Sequence, residues 1–89
     1  MNNQPVIPDH VVSTEFNNGE GVIVDLNSKR YYQLNETATL VWLSLEKGKS
    51  IDEIVAEMLL NYDVSEQHAI KSISGLLEEF RSRKLLVSA

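Results

Sequence analysis

Eighty-nine residues make one small domain. That is enough chain for a single core and too little for a barrel enzyme, a full dinucleotide-binding fold or a two-domain hinge. The hydrophobic fraction of 43% and charged fraction of 24% are ordinary for a folded globular chain, while a net charge of −5 disfavours nucleic-acid binding, which rests on cations that displace counterions from phosphates.

There is no cysteine, which removes disulfides, thiolate metal sites and thiol nucleophiles together. No apolar run approaches the ~18 residues of a membrane span. The opening Met1-Asn2-Asn3-Gln4-Pro5 lacks the basic start and apolar stretch of a secretory signal. These features predict a soluble cytoplasmic protein without a membrane partner.

Residues 1–8 hold Pro5 and Pro8 and read as a flexible lead-in, with one domain over 9–89. Residues 10–34 alternate in the manner of strands. Val12, Thr14 and Phe16 share one face of a first strand. Asn17-Asn18-Gly19-Glu20-Gly21 is a turn, because Asn and Gly tolerate positive φ. Val22, Val24 and Leu26 share one face of a second strand, with Ile23 and Asp25 opposite. After the turn Asn27-Ser28-Lys29, a third strand runs from Arg30 to Leu34, with Tyr32 and Leu34 on one face and Tyr31 and Gln33 on the other. Two short connections make an antiparallel meander.

The period then becomes helical. Asn35 is an N-cap, and Ala38, Val41, Trp42 and Leu45 recur at i, i+3, i+4 and i+7. Gly48 ends this helix. Ser50 and Glu53 form a capping box for a second, whose stripe is Ile51, Ile54, Val55, Met58, Leu59 and Tyr62. Ser65 caps a third, with Ile70, Ile73, Leu77 and Phe80 as its core stripe. Leu85, Leu86 and Val87 are an apolar tail that should fold back on the core. The predicted fold is α+β: a three-stranded antiparallel sheet followed by three helices, in the manner of a winged helix.

No catalytic constellation accompanies this pattern. His10 and His68 are two isolated imidazoles, and Ser50 and Ser65 are caps with no base beside them. Gly19-x-Gly21 lies between two strands, not between a strand and a helix, so it is no phosphate loop. The reading is a protein that is not an enzyme and takes no metal or cofactor.

What remains is binding. The third strand ends the meander, so one of its sides is an open edge, and Arg30, Tyr31, Tyr32 and Gln33 carry no proline to block it. Such an edge can take an extended peptide as an added strand. On the third helix, Gln67, Ile70, Lys71, Ser74, Leu77, Glu78 and Arg81 form a stripe that overlaps the core stripe and is read as the second wall of a groove. Small Ser74 between Ile70 and Leu77 is read as its pocket.

Residues 21–87 resemble the PqqD-like family. The resemblance is carried by Tyr32-Gln33-Leu34-Asn35-Glu36-Thr37 at the strand-to-helix junction and by Trp42 after it. It continues through Gly48, Ser50-Ile51-Asp52-Glu53-Ile54, and the closing Leu76-Leu77 and Leu85-Leu86. Lys29-Arg30-Tyr31-Tyr32-Gln33-Leu34-Asn35 and Pro8-Asp9-His10-Val11-Val12 are most similar to stand-alone members of lasso-peptide clusters. The chain departs from the pattern at Ser72, where many relatives carry an acid, and at Lys84, where many have glycine.

The resemblance implies a recognition element for ribosomally made, modified peptides. Such a protein binds the leader of a precursor peptide as a strand added to the third strand, against the third helix. It then passes the peptide to a maturation enzyme: a cysteine-protease-like leader peptidase in lasso pathways, a radical-SAM enzyme in others. The rival from another class is a winged-helix DNA-binding regulator. A structural subunit that dimerises through its edge strand is a third possibility. The third helix mixes Glu66, Glu78 and Glu79 with its cations, which sets it against the DNA-binding reading.

Overall fold

The change of period near residue 35 is realised as a change of architecture. The computed structural model describes residues 5–88; Met1 to Gln4 and Ala89, the ends of the expected lead-in and domain, lie outside the described residues. The elements in order are β1 (Pro5–Val6), β2 (Val11–Glu15), β3 (Gly21–Asp25), β4 (Arg30–Leu34), α1 (Glu36–Glu46), α2 (Ile51–Asn61), α3 (Glu66–Ser82) and β5 (Val87–Ser88). The expected meander is β2-β3-β4, fully antiparallel, and the three expected helices follow it.

Within the expected lead-in, Pro5 and Val6 pair with Ser88 and Val87 as a separate two-stranded ribbon. The chain ends are therefore tied together next to the core. Leu85 and Leu86 are buried, as the apolar tail predicted.

Turn chemistry sets the registers. Gly19 takes φ 87 between β2 and β3. Between β3 and β4 the Asp25 carboxylate accepts from the backbone amides of Asn27 (3.0 Å) and Ser28 (3.3 Å), and Lys29 takes φ 64 to close the turn. Burial opposes the ionisation of Asp25. The Ser28 and Asn27 amides, the Ser28 hydroxyl and nearby His10 outweigh it and hold the carboxyl below its ordinary value.

The sheet's inward face is Val11 on β2, Gly21, Ile23 and Asp25 on β3, and Leu34 on β4, with Tyr32 half-buried. Gly21 is required there. A Cβ on it would lie 2.8 Å from the Thr14 carbonyl oxygen and 3.4 Å from Thr39 Oγ1. The sets Val12/Thr14/Phe16 and Val22/Val24/Leu26 form the outer face and its ends, and Leu26 belongs to the turn, not the strand.

Helix ends follow their caps. Asn35 accepts from the Ala38 amide, Ser50 and Glu53 form the reciprocal capping box, and Ser65 accepts from the His68 amide. Trp42 is fully buried, packs edge-on to Phe80 at 5.1 Å, and donates its indole N–H to Glu46. Glu46 also accepts from Ser13 Oγ at 2.6 Å, which ties α1 to β2. At the end of α3, Lys84 adopts φ 61. That left-handed conformation is one that glycine adopts without a Cβ penalty and lysine does not.

Candidate peptide-binding site

The ladder between β2 and β3 fixes which backbone groups face outward. The amides of Leu26 and Phe16 donate to His10 and Glu20, so residues 10, 12, 14 and 16 exchange bonds with β3. Antiparallel pairs alternate, so Ile23 faces β4, and Tyr32, its partner, faces β3. Tyr31 and Gln33 are the residues of β4 whose N–H and C=O groups point away from the sheet. No strand lies on that side among the described residues.

Beside this edge a groove of about 440 Å³ runs between β4 and α3. Its floor is apolar: Leu34, Ala38, Leu76, Phe80 and Leu85. Tyr31 and Gln33 form the strand lip, with Tyr31 71% exposed. Glu79 and Arg83 form the helix lip. The Arg83 guanidinium lies 5.0 Å from the centroid of the Tyr32 ring, and its Nη2 donates to Glu79 at 3.1 Å. This contact bridges the two walls. A second hollow, of about 400 Å³, lies between α1, α2 and the β2–β3 turn. It is lined by residues that include Glu15, Glu36, Lys47 and Glu57, and it touches the sheet's other edge strand, β2, only at the terminal Glu15.

Of the residues singled out from the sequence, the structure brings together Tyr31, Tyr32 and Gln33 at the groove, with Arg30 exposed at the start of the same strand. It does not bring Ile70, Lys71, Ser74, Leu77, Glu78 or Arg81 to it. Leu77 is buried in the core, and the other five are exposed. At 100° per residue Ser74 sits about 200° around α3 from Leu76. The groove therefore uses the opposite flank of the helix, on which Leu76, Glu79 and Arg83 follow one another at i, i+3 and i+7. Leu76, Glu79, Phe80 and Arg83 line the groove, and none of them was read as a groove residue from the sequence.

No group of three or more His, Asp or Glu side chains is placed to hold a metal ion among the described residues. His10 faces Asp25 at 3.9 Å, and His68 is exposed. No helix among the described residues is long and apolar enough to cross a membrane.

The family model described as Coenzyme PQQ synthesis protein D (PqqD) matches residues 20–86. The structure is similar to that of TbiB1 solved in complex with the TbiA(beta) leader peptide. The identity is 29% and the TM-score 0.84, over 90% of this chain and 92% of that one. It also shares the fold of a lasso peptide synthetase B1 complexed with the leader peptide. There the identity is 23% and the TM-score 0.84, over 94% of this chain and 98% of that one. No functionally curated protein matches the chain.

Proposed function

The chain belongs to the PqqD family, and from that premise we propose that it binds the leader segment of a ribosomally synthesised precursor peptide and delivers it to a maturation enzyme. The observation that carries this reading is the coincidence of an unpaired strand edge, at Tyr31 and Gln33, with an apolar groove alongside it. Backbone bonds at the edge tolerate many sequences, while alternate side chains of the added strand drop onto Leu34, Leu76 and Phe80 and are selected there. Ordering a flexible leader costs about 2–5 kcal/mol. Burying about 200 Å² of apolar surface at ~25 cal/mol per Å² contributes about 5 kcal/mol and offsets that loss.

The role is non-catalytic: recognition and presentation, in the cytosol where precursors are translated. The likeness to lasso B1 proteins supports a leader peptidase of the cysteine-protease type as the partner, ahead of a radical-SAM enzyme. Delivery needs a surface the leader leaves free. The outer face of the sheet fits that need, with Val12, Val24 and Tyr31 in register across it, Val22 beside them and Phe16 and Leu26 at its ends. It is continuous with the β4 edge, so an enzyme seated on it would touch chain and leader together.

The test is a proline scan of the leader in a binding titration. If the leader adds as a strand, proline harms binding with period two, because only alternate leader amides point at β4. Uniform tolerance of proline, or a helical bound leader, overturns the reading. Val24→Lys should keep leader affinity and lose enzyme-dependent processing; unchanged processing would move the enzyme to another face.

A further inference from the structure

The open edge of β4 runs between two poles of opposite charge. At its start stand Lys29 and Arg30, with Arg83 over Tyr32 and Lys84 next to it in the chain. Glu79 neutralises Arg83. Lys29, Arg30 and Lys84 have no ion-pair partner among the described residues, and Asp25, the acid nearest in register, is engaged by its own turn and by His10. At the other end of the strand, a hollow of about 240 Å³ joins Gln33, Leu34 and Asn35 to Glu20 and Phe16. Glu20 accepts from Asn18, and Glu36, at the first turn of α1, lies against Gly19 in the β2–β3 turn, outside this hollow.

The two poles are separated by the length of β4, roughly 13 Å at 3.3 Å per residue. That exceeds the Debye length of about 8 Å at physiological salt, so each acts on whatever lies against it without cancelling the other. In a protein of net charge −5, Lys29 and Arg30 stand side by side at the start of the open strand.

We infer that this edge sorts its peptide by charge: acidic side chains are taken beside Arg30 and Lys29, basic ones beside Glu20. The inference rests on the reading of β4 as the leader-binding edge and names the charge pattern of the leader it accepts. It fixes register as well as affinity, because an alternating apolar strand that slipped by two residues along β4 would keep its floor contacts and lose its charge match.

The experiment uses short synthetic peptides that share one alternating valine, leucine and tyrosine segment. The first carries glutamates before it and lysines after it, the second carries the reverse, and the third has glutamine at every one of those positions. Binding is titrated by fluorescence anisotropy, and amide shifts of Tyr31 and Gln33 report whether each peptide sits on the edge. The expected result is that one charged peptide binds at least about tenfold more tightly than the glutamine peptide, ~1.4 kcal/mol, and the other more weakly. High salt should erase the difference. The double variant Lys29→Glu, Arg30→Glu should abolish the preference between the two charged peptides. Equal binding of all three, with shifts at Tyr31 and Gln33, overturns the charge inference and leaves the edge-strand reading standing. Binding of none, or shifts elsewhere, overturns both.

Discussion

Replacing Leu76 by Ala separates the two flanks of α3. Leu76 lines the groove and is half-buried in the free chain. The substitution removes three carbon groups, about 2.4 kcal/mol at ~0.8 kcal/mol per buried group. Roughly half of that is already realised against the core, so it should appear as about 1 kcal/mol of lost stability. The rest is realised only when a leader covers the groove, and it should weaken leader binding by about 1.2 kcal/mol, roughly eightfold. The companion variant is Ser74→Trp. Ser74 is exposed on the opposite flank, so a large side chain there should change neither fold nor affinity. The assay is anisotropy of a labelled leader titrated with each variant, with melting curves alongside. A folded Ser74→Trp protein that loses affinity tenfold, together with a Leu76→Ala protein that keeps it, would refute the assignment of the groove to the Leu76 flank.

Three further outcomes follow from other parts of the molecule. Asp25 and Glu57 are both held below their ordinary values, Asp25 by its turn amides against the opposing effect of burial and Glu57 chiefly by its bond to Lys49. Each therefore adds stability that is complete above its ordinary value, 3.8 or 4.5 respectively, and is lost as pH falls through the folded value. Melting temperature should drop on acidification below about pH 4.5, and Asp25→Asn should flatten that drop. Lys84→Gly should stabilise the fold by about 1 kcal/mol by relieving φ 61, seen as a melting temperature raised by roughly 4–8 °C. Duplex DNA should bind weakly and without sequence preference at physiological salt, since the net charge is −5 and cations on α3 alternate with Glu66, Glu78 and Glu79. A tight, sequence-selective gel shift would restore the regulator reading.

The order of elements was legible because each carries its own local signal. Asn35, Ser50 and Ser65 are caps, and each does cap a helix. The run from Gly21 to Leu26 was ambiguous for a physical reason. Val22 and Val24 on one side and Ile23 on the other are all apolar, so alternation does not say which face meets the core; only α1 packing on Ile23 and Leu34 decides it. The β1–β5 ribbon was invisible, since two residues at each end carry no period and their pairing spans nearly the whole chain. The choice of flank on α3 has the same root. Its core stripe, Ala69, Ile73, Leu77 and Phe80, has a flank on each side, and both contain apolar residues, Ile70 on one and Leu76 on the other. Which flank borders β4 is a fact of tertiary packing. The Arg83–Tyr32 contact settles it in the structure and has no counterpart in local sequence.

The edge and the sheet together imply a division of labour along the leader. Tyr31 and Gln33 expose their backbone at the edge while their side chains stand on the outer face; Tyr32 and Leu34 point the other way. A strand added to β4 continues the same pleat, so its side chains alternate between the groove floor and the outer face. Residues of one parity meet Leu76 and Phe80 and set affinity for this chain. On the proposed reading, residues of the other parity extend the apolar strip of Val12, Val24 and Tyr31 and are left for a maturation enzyme. Alanine substitutions along the leader should therefore fall into two interleaved sets. One set raises Kd for this protein. The other leaves Kd unchanged and lowers the rate of processing when all of the leader is bound. Titration gives the first quantity and a processing assay at saturating chain the second. If the same leader positions controlled both, the enzyme would not be reading the outer face, and the apolar strip of Val12, Val24 and Tyr31 would need a different occupant.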